Sequence, residues 1–177
     1  MKQTTYNRHH RARQIARFLA LLMAVIMVLG SFALLLTGCG SADSGKAAGS
    51  VDLAALKDEL LADISFESEM TPLDDALFDR YYSFDPSLAV EKYVVVSNGW
   101  TVEEIALFQA ADETAAKTIE AAMQERVENQ KKAFEDYVPA ELTKLQSPVI
   151  VRSGVYVGMC ISGDDSKAQE IMDQYLK

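Results

Sequence analysis

Glu103 and Glu104 stand side by side in the run Thr101 to Ala110, whose other members are mostly apolar. A carboxylate among buried apolar residues must be paired or put to use. Two positioned carboxylates are enough for general acid and base hydrolysis of a glycoside, which makes this pair the first to test. The alternative is an edge carboxylate that faces water or pairs with an arginine such as Arg126. Trp100 precedes the pair and, with Tyr81, Tyr82, Tyr93 and Tyr156, offers aromatic rings able to line a ligand groove; packing in the core or at its edge is the expected alternative. The only histidines are His9 and His10. Ser-His-Asp, Cys-His and most zinc chemistries need imidazole or several thiols, so they cannot be assembled from the residues beyond the amino-terminal segment. That stretch also lacks S-x-x-K, G-x-S-x-G and the D-x-[DN]-x-[DN]-G calcium loop, and Asp164-Asp165 reads as a helix cap. No catalytic residue, cofactor or metal site is assigned.

Cys39 has a different chemistry. Phe18 to Leu36 is a 19-residue stretch without charge, directly after a basic segment containing Lys2, Arg8, Arg11, Arg13 and Arg17. This is the layout of a secretory signal, and its length also suits a retained single-pass anchor. The residues just beyond favour the first reading. Leu36-Thr37-Gly38-Cys39 resembles the lipobox of bacterial lipoproteins, in which small residues before the cysteine fit the signal peptidase and the thiol takes a diacylglyceryl group, with an N-acyl chain as a further step. The expectation is a signal peptide over 1–38, a lipidated cysteine and flexible tether over 39–50, and one extracytoplasmic domain over 51–177. Several acyl chains hold firmly where one is marginal. Gly40 to Lys46 fits the spacing of a phosphate-binding loop, but Ala47 replaces its Ser/Thr and no strand precedes it. Cys160 would then be the sole thiol left, expected as a small buried hydrophobe.

The elements that must position these residues are set by periodicity. Leu53, Leu56, Leu60, Leu61 and Ile64 predict an amphipathic helix over 51–64. Thr71 as cap and Pro72 at the first turn predict a second, with Leu73, Leu77 and Tyr81 on its face. Tyr93-Val94-Val95-Val96, then Asn98-Gly99, predict a strand and tight turn, with a return strand buried on both faces through Ile105, Ala106, Leu107 and Phe108. Asp112 to Tyr137 reads as one long helix ended by Pro139. Ala140 to Leu145 reads as a turn, and 148–152 and 155–162 as a hairpin around Ser153-Gly154. A closing helix carries Ala168, Ile171, Met172 and Tyr175. The order ααββαββα predicts an α+β class: a small antiparallel sheet from two hairpins, with helices packed on one face.

Composition agrees with a globular chain. Of 177 residues, 49 % are hydrophobic, which separates the chain from disordered ones. The formal charge is -9, and beyond the basic segment 12 basic residues face 26 acidic ones, which excludes nucleic acid as a partner. Two rivals to a binding domain remain: a carboxylate-dependent hydrolase of the cell envelope, and a passive subunit of an envelope complex.

A resemblance adds to this reading. The lipobox, the short tether, Asn98 followed by Glu103-Glu104-Ile105, the helix with Arg126, Gln130, Phe134 and Tyr137-Val138-Pro139, and Gly154-Val155-Tyr156 are similar to the lipoprotein family catalogued as domain of unknown function 4358. The similarity covers 51–177. It implies a small secreted lipoprotein, chiefly of Gram-positive bacteria, on the outer face of the cytoplasmic membrane, and supplies no catalytic or ligand residues. The expectation is therefore a lipid-anchored, non-enzymatic domain that meets the membrane through Cys39 and binds an envelope protein or a small ligand, with Glu103, Glu104, Trp100, Arg126 and Tyr156 as candidate site residues.

Overall fold

A computed structural model describes residues 50–177; the lipobox, the apolar stretch and the phosphate-loop spacing lie outside the described residues. Helix α1 (Leu53–Asp63) starts where the Asp52 side chain accepts from the Ala55 N–H at 3.0 Å. Leu53, Leu56 and Leu60 form its buried stripe. Strand β1 comes next (Thr71–Pro72), then a 3-10 turn (Asp75–Leu77), helix α2 (Phe78–Tyr81), a second 3-10 turn (Pro86–Leu88), and strands β2 (Ala89–Val96) and β3 (Glu104–Ala110). Helix α3 (Glu113–Phe134), a 3-10 helix (Pro139–Thr143), strands β4 (Val149–Ser153) and β5 (Tyr156–Ile161), and helix α4 (Asp165–Leu176) complete the chain. The sheet is five-stranded and antiparallel, in the order β1-β2-β3-β5-β4.

The α+β class and element order are as the sequence predicts, but the helices cover both faces. Val94, Val96, Ala106, Phe108, Val157, Met159 and Ile161 meet Ala116, Ile119, Met123 and Val127 of α3. On the other face Val95, Ile105, Leu107 and Cys160 meet α1 and α4. The cause lies in β3 and β5, whose consecutive residues are almost all buried, so each face needs its own apolar cover. On the second face α4 comes so close that a Cβ added at Gly158 would lie 2.9 Å from Met172 Sδ.

Two local expectations also change. Thr71-Pro72 opens no helix: the residue before proline is biased to extended backbone, and an edge strand tolerates the missing proline N–H. Thr71 and Pro72 pair with Val96 and Val95, the Leu73 N–H goes to the Val94 carbonyl at 2.9 Å, and the helical turn starts only at Asp74, which caps Ala76. Leu77 is consequently exposed, and Phe78 and Tyr82 carry the burial. The Asn98-Gly99 turn is part of a longer connection over 97–103. Gly99 takes φ 90° there, which favours glycine. Asn98 Oδ1 accepts from the Trp100 N–H at 3.2 Å.

Candidate functional site

Glu104 opens β3 opposite Val96 and Ile161, which turns its side chain to the α3 face. It is fully buried. The Tyr82 hydroxyl donates to Oε1 at 2.5 Å, while Arg126 Nε and Nη2 and Gln130 Nε2 donate to Oε2 at 3.0, 2.9 and 3.0 Å. Arg126 and Gln130 are four residues apart on α3 and so share one helix face. The Arg126 guanidinium lies 4.3 Å from the Tyr81 ring centroid. Burial, then the charge and hydrogen bond of Glu104, push the Tyr82 phenol well above its ordinary pKa, so the hydroxyl stays a donor. Gln130 Oε1 is buried without a hydrogen-bond partner.

Glu103 belongs to a second cluster. Its oxygens accept from the backbone N–H groups of Glu67 at 3.0 Å and Ser68 at 3.4 Å, from the Thr101 hydroxyl at 3.0 Å, and from Lys144 Nζ at 3.3 Å. Lys144, just past the 3-10 helix, also reaches Glu67 at 2.9 Å and Glu141 at 3.1 Å. Glu141 in turn accepts from the Val102 N–H at 3.1 Å. Burial opposes the Lys144 charge, but hydrogen bonds to Glu67 and Glu141 and the field of Glu103 and Glu141 outweigh it, and its pKa is raised.

All four oxygens of Glu103 and Glu104 are therefore taken by donors of the fold itself. The two neighbours serve different clusters rather than one shared site. Chemically both arrangements tie segments together: Glu104 joins the sheet to α3 and α2, and Glu103 joins it to the segment after α1 and to the 3-10 helix. Among the described residues no group of three His, Cys, Asp or Glu is placed to hold a metal ion, and no helix is long and apolar enough to cross a membrane.

The remaining candidates are scattered. Trp100 is 67 % exposed, contrary to core packing, and stacks on exposed Tyr137 with ring centroids 6.2 Å apart. Tyr156 sits at the far end of β5 from Glu104, and its hydroxyl accepts from the Val51 N–H at 3.2 Å. Cys160 is buried and free. Asp164 caps α4 through the Lys167 N–H at 2.9 Å. Sequence reasoning missed Tyr82 as the Glu104 partner, and it missed Glu67, Glu141 and Lys144. The one available signal was the i, i+3 spacing of Glu141 and Lys144 inside the segment read as a turn. It also missed a cleft of about 320 Å³ beside β2, lined by Leu73, Phe78, Tyr93 and Val94 together with the charged Lys57, Asp75 and Lys92.

These features define a small α+β domain with an antiparallel sheet between two helical layers and three buried, internally satisfied carboxylates, Glu103, Glu104 and Glu141. Its sequence places it further: the chain belongs to the family described as Domain of unknown function (DUF4358), whose model matches residues 62–162. No curated protein and no solved structure matches it.

Proposed function

We propose that this chain is a bacterial lipoprotein, anchored through Cys39 on the extracytoplasmic face of the membrane, whose domain binds an envelope protein or a small ligand without catalysing a reaction. The observation that carries the non-catalytic part is the saturation of Glu103 and Glu104. A general acid or base must exchange a proton with substrate or water, and every oxygen of this pair is held by Tyr82, Arg126, Gln130, Thr101, Lys144 or backbone N–H groups. The sequence Leu36-Thr37-Gly38-Cys39 after the apolar stretch supports the anchor. The exposed Trp100–Tyr137 stack and the cleft beside β2 support binding, because aromatic rings and a concave, partly apolar surface are what a ligand or partner would bury.

The test is mass spectrometry of the chain isolated from mildly crosslinked bacterial cells, beside Cys39→Ala. The expected result is an amino terminus at an acylated Cys39, loss of membrane association in the variant, and a reproducible companion. An intact Met1 terminus overturns the lipid anchor, and turnover of an envelope glycan that is lost in Glu103→Gln or Glu104→Gln overturns the non-enzymatic reading.

A further inference from the structure

Two aromatic rings from distant parts of the chain meet at the surface, at the end of the sheet where β3 begins. Trp100, from the 97–103 connection, stacks on Tyr137, just past α3, with an interplanar angle of 29°. Flat rings in contact lie about 3.5 Å apart, so centroids separated by 6.2 Å are displaced sideways by about 5 Å. The pair is therefore a step rather than a closed sandwich. Most of each ring is bare, Trp100 being 67 % exposed and Tyr137 56 %. The seat of the step is fixed: the Asn98 side chain accepts from the Trp100 N–H, the Ser97 hydroxyl donates to the Thr101 carbonyl at 2.6 Å, and Phe134, packed on the core, meets the Tyr137 ring at 71°. The indole N–H of Trp100 and the hydroxyl of Tyr137 have no hydrogen-bond partner among the described residues. The nearest charges along α3, Glu135 and Asp136 beside Tyr137 and Lys131 and Lys132 a turn back, are of both signs and select no ion.

We propose that the Trp100–Tyr137 step is a binding site for a neutral glycan built of equatorially substituted pyranose rings, such as β-1,4-linked N-acetylhexosamines. The faces of such a ring present only axial C–H groups. Their weakly positive hydrogens meet the negative face of an aromatic ring, and apolar area is buried without stripping water from a hydroxyl. The hydroxyls and the acetamido group project from the ring's edge, where the Trp100 N–H and the Tyr137 hydroxyl offer neutral hydrogen-bonding partners. Because the step is held in place before a ligand arrives, little ordering is left to oppose binding. A bilayer is the wrong occupant, although Trp and Tyr suit membrane interfaces. The Val51 N–H, beside the tether, bonds the Tyr156 hydroxyl at the opposite end of the sheet, and the 22 residues of α3, about 33 Å long, run from that end to the step. A tether at Val51 holds that end to the membrane and leaves the step at the far one. This inference rests on the binding reading above and names a ligand class for it.

Trp100 is the only tryptophan in the sequence, so its emission reports on the site directly. The test titrates the full chain, in a detergent without a sugar headgroup, with the β-1,4-linked trimer of N-acetylglucosamine. The expected result is a saturable change in emission that is absent with sorbitol, which offers hydroxyls without a flat ring. Tyr137→Ala is expected to weaken binding about tenfold. In Trp100→Ala, read by saturation-transfer NMR on the sugar, transfer to the ring C–H protons should vanish. Both side chains are at the surface, and a thermal melt checks that the variants fold. Emission unchanged by the trimer, an equal response to sorbitol, or undiminished saturation transfer in Trp100→Ala overturns the proposal. Tighter binding of a proline-rich peptide than of the trimer overturns it in favour of a peptide site. An emission shift on reconstitution into phosphatidylglycerol vesicles, with none from the trimer, overturns it in favour of a membrane contact. If the trimer fails while crosslinking still yields a companion, the glycan site falls and the binding reading stands; if neither is found, the binding reading falls as well.

Discussion

Arg126 and Glu104 are twenty-two positions apart in sequence and meet inside the fold, where Nε and Nη2 of the arginine both donate to one carboxylate oxygen, at 3.0 and 2.9 Å. The arrangement joins the first residue of β3 to the middle of α3. Gln130, one helical turn on, and Tyr82, from the end of α2, complete it. A buried ion pair of this kind returns little net stability when formed, yet breaking it is costly because the partner left behind is an uncompensated buried charge.

Glu104→Ala is therefore expected to lower unfolding stability by about 3–5 kcal/mol, since it strands the Arg126 guanidinium, the Tyr82 hydroxyl and the Gln130 amide together. Replacing both members, as in Glu104→Leu/Arg126→Leu, should cost less than the sum of the single changes. Urea unfolding of the four proteins of this double-mutant cycle measures the coupling. A loss under about 1 kcal/mol for Glu104→Ala would mean that the tie holds nothing together.

Stability is also expected to fall at alkaline pH. Burial and Glu104 raise the Tyr82 phenol from 10.0, and burial pushes the Cys160 thiol from 9.0 to about 12. Hydrogen bonds to Glu67 and Glu141 outweigh burial and raise Lys144 from 10.5. In each case the fold holds the proton more tightly than the unfolded chain does. Their contribution is intact below the unfolded pKa values and is lost as pH rises through the folded ones. The unfolding free energy from urea titrations should stay level from pH 7 to about 9 and then decline, by up to about 1.4 kcal/mol per pH unit for each proton released on unfolding. Tyr82→Phe should make that decline shallower. An unfolding free energy constant to pH 11 contradicts the assignment.

Much of the fold was legible because each regular element carried its own period. The leucines of α1, the Tyr93 to Val96 run and the Ala168, Ile171, Met172 stripe all report burial on one face or strand. Even the second helical layer was implied: Ile105 and Leu107 alternate with Ala106 and Phe108, and a strand apolar on both sides must be covered on both. Placing the helices on one face ignored that consequence. Thr71-Pro72 failed for a different reason. Cap residues and a strand edge ask for the same Thr-Pro pair, and only the distant carbonyl of Val94, which takes the Leu73 N–H, decides between them. The carboxylate clusters were the least legible part. The pairing of one carboxylate with Arg126 was anticipated, and Glu104 takes it; Tyr82 and Gln130, at 22 and 26 residues from Glu104, and Lys144, at 41 from Glu103, were not. No local pattern encodes such distances.

Cys160 gives a direct measure of how far the domain opens. It lies on β5 between Ile105 and Val149, facing α1 and α4, and is fully buried. Only the thiolate reacts with alkylating and disulfide reagents, and burial suppresses it by pushing the pKa to about 12. In Cys39→Ala, where Cys160 is the only thiol in the chain, labelling at pH 8 should be negligible in native buffer and complete in urea. At trace denaturant its rate should track the free energy of global unfolding, because reaching the sulfur requires α1 or α4 to leave the sheet. Glu104→Ala should then raise the native labelling rate by the factor that its stability loss dictates, about tenfold for each 1.4 kcal/mol. Rapid labelling of the folded protein, with no change in Glu104→Ala, would show that β5 is reached by local opening of α4 alone and that the two helical layers open independently.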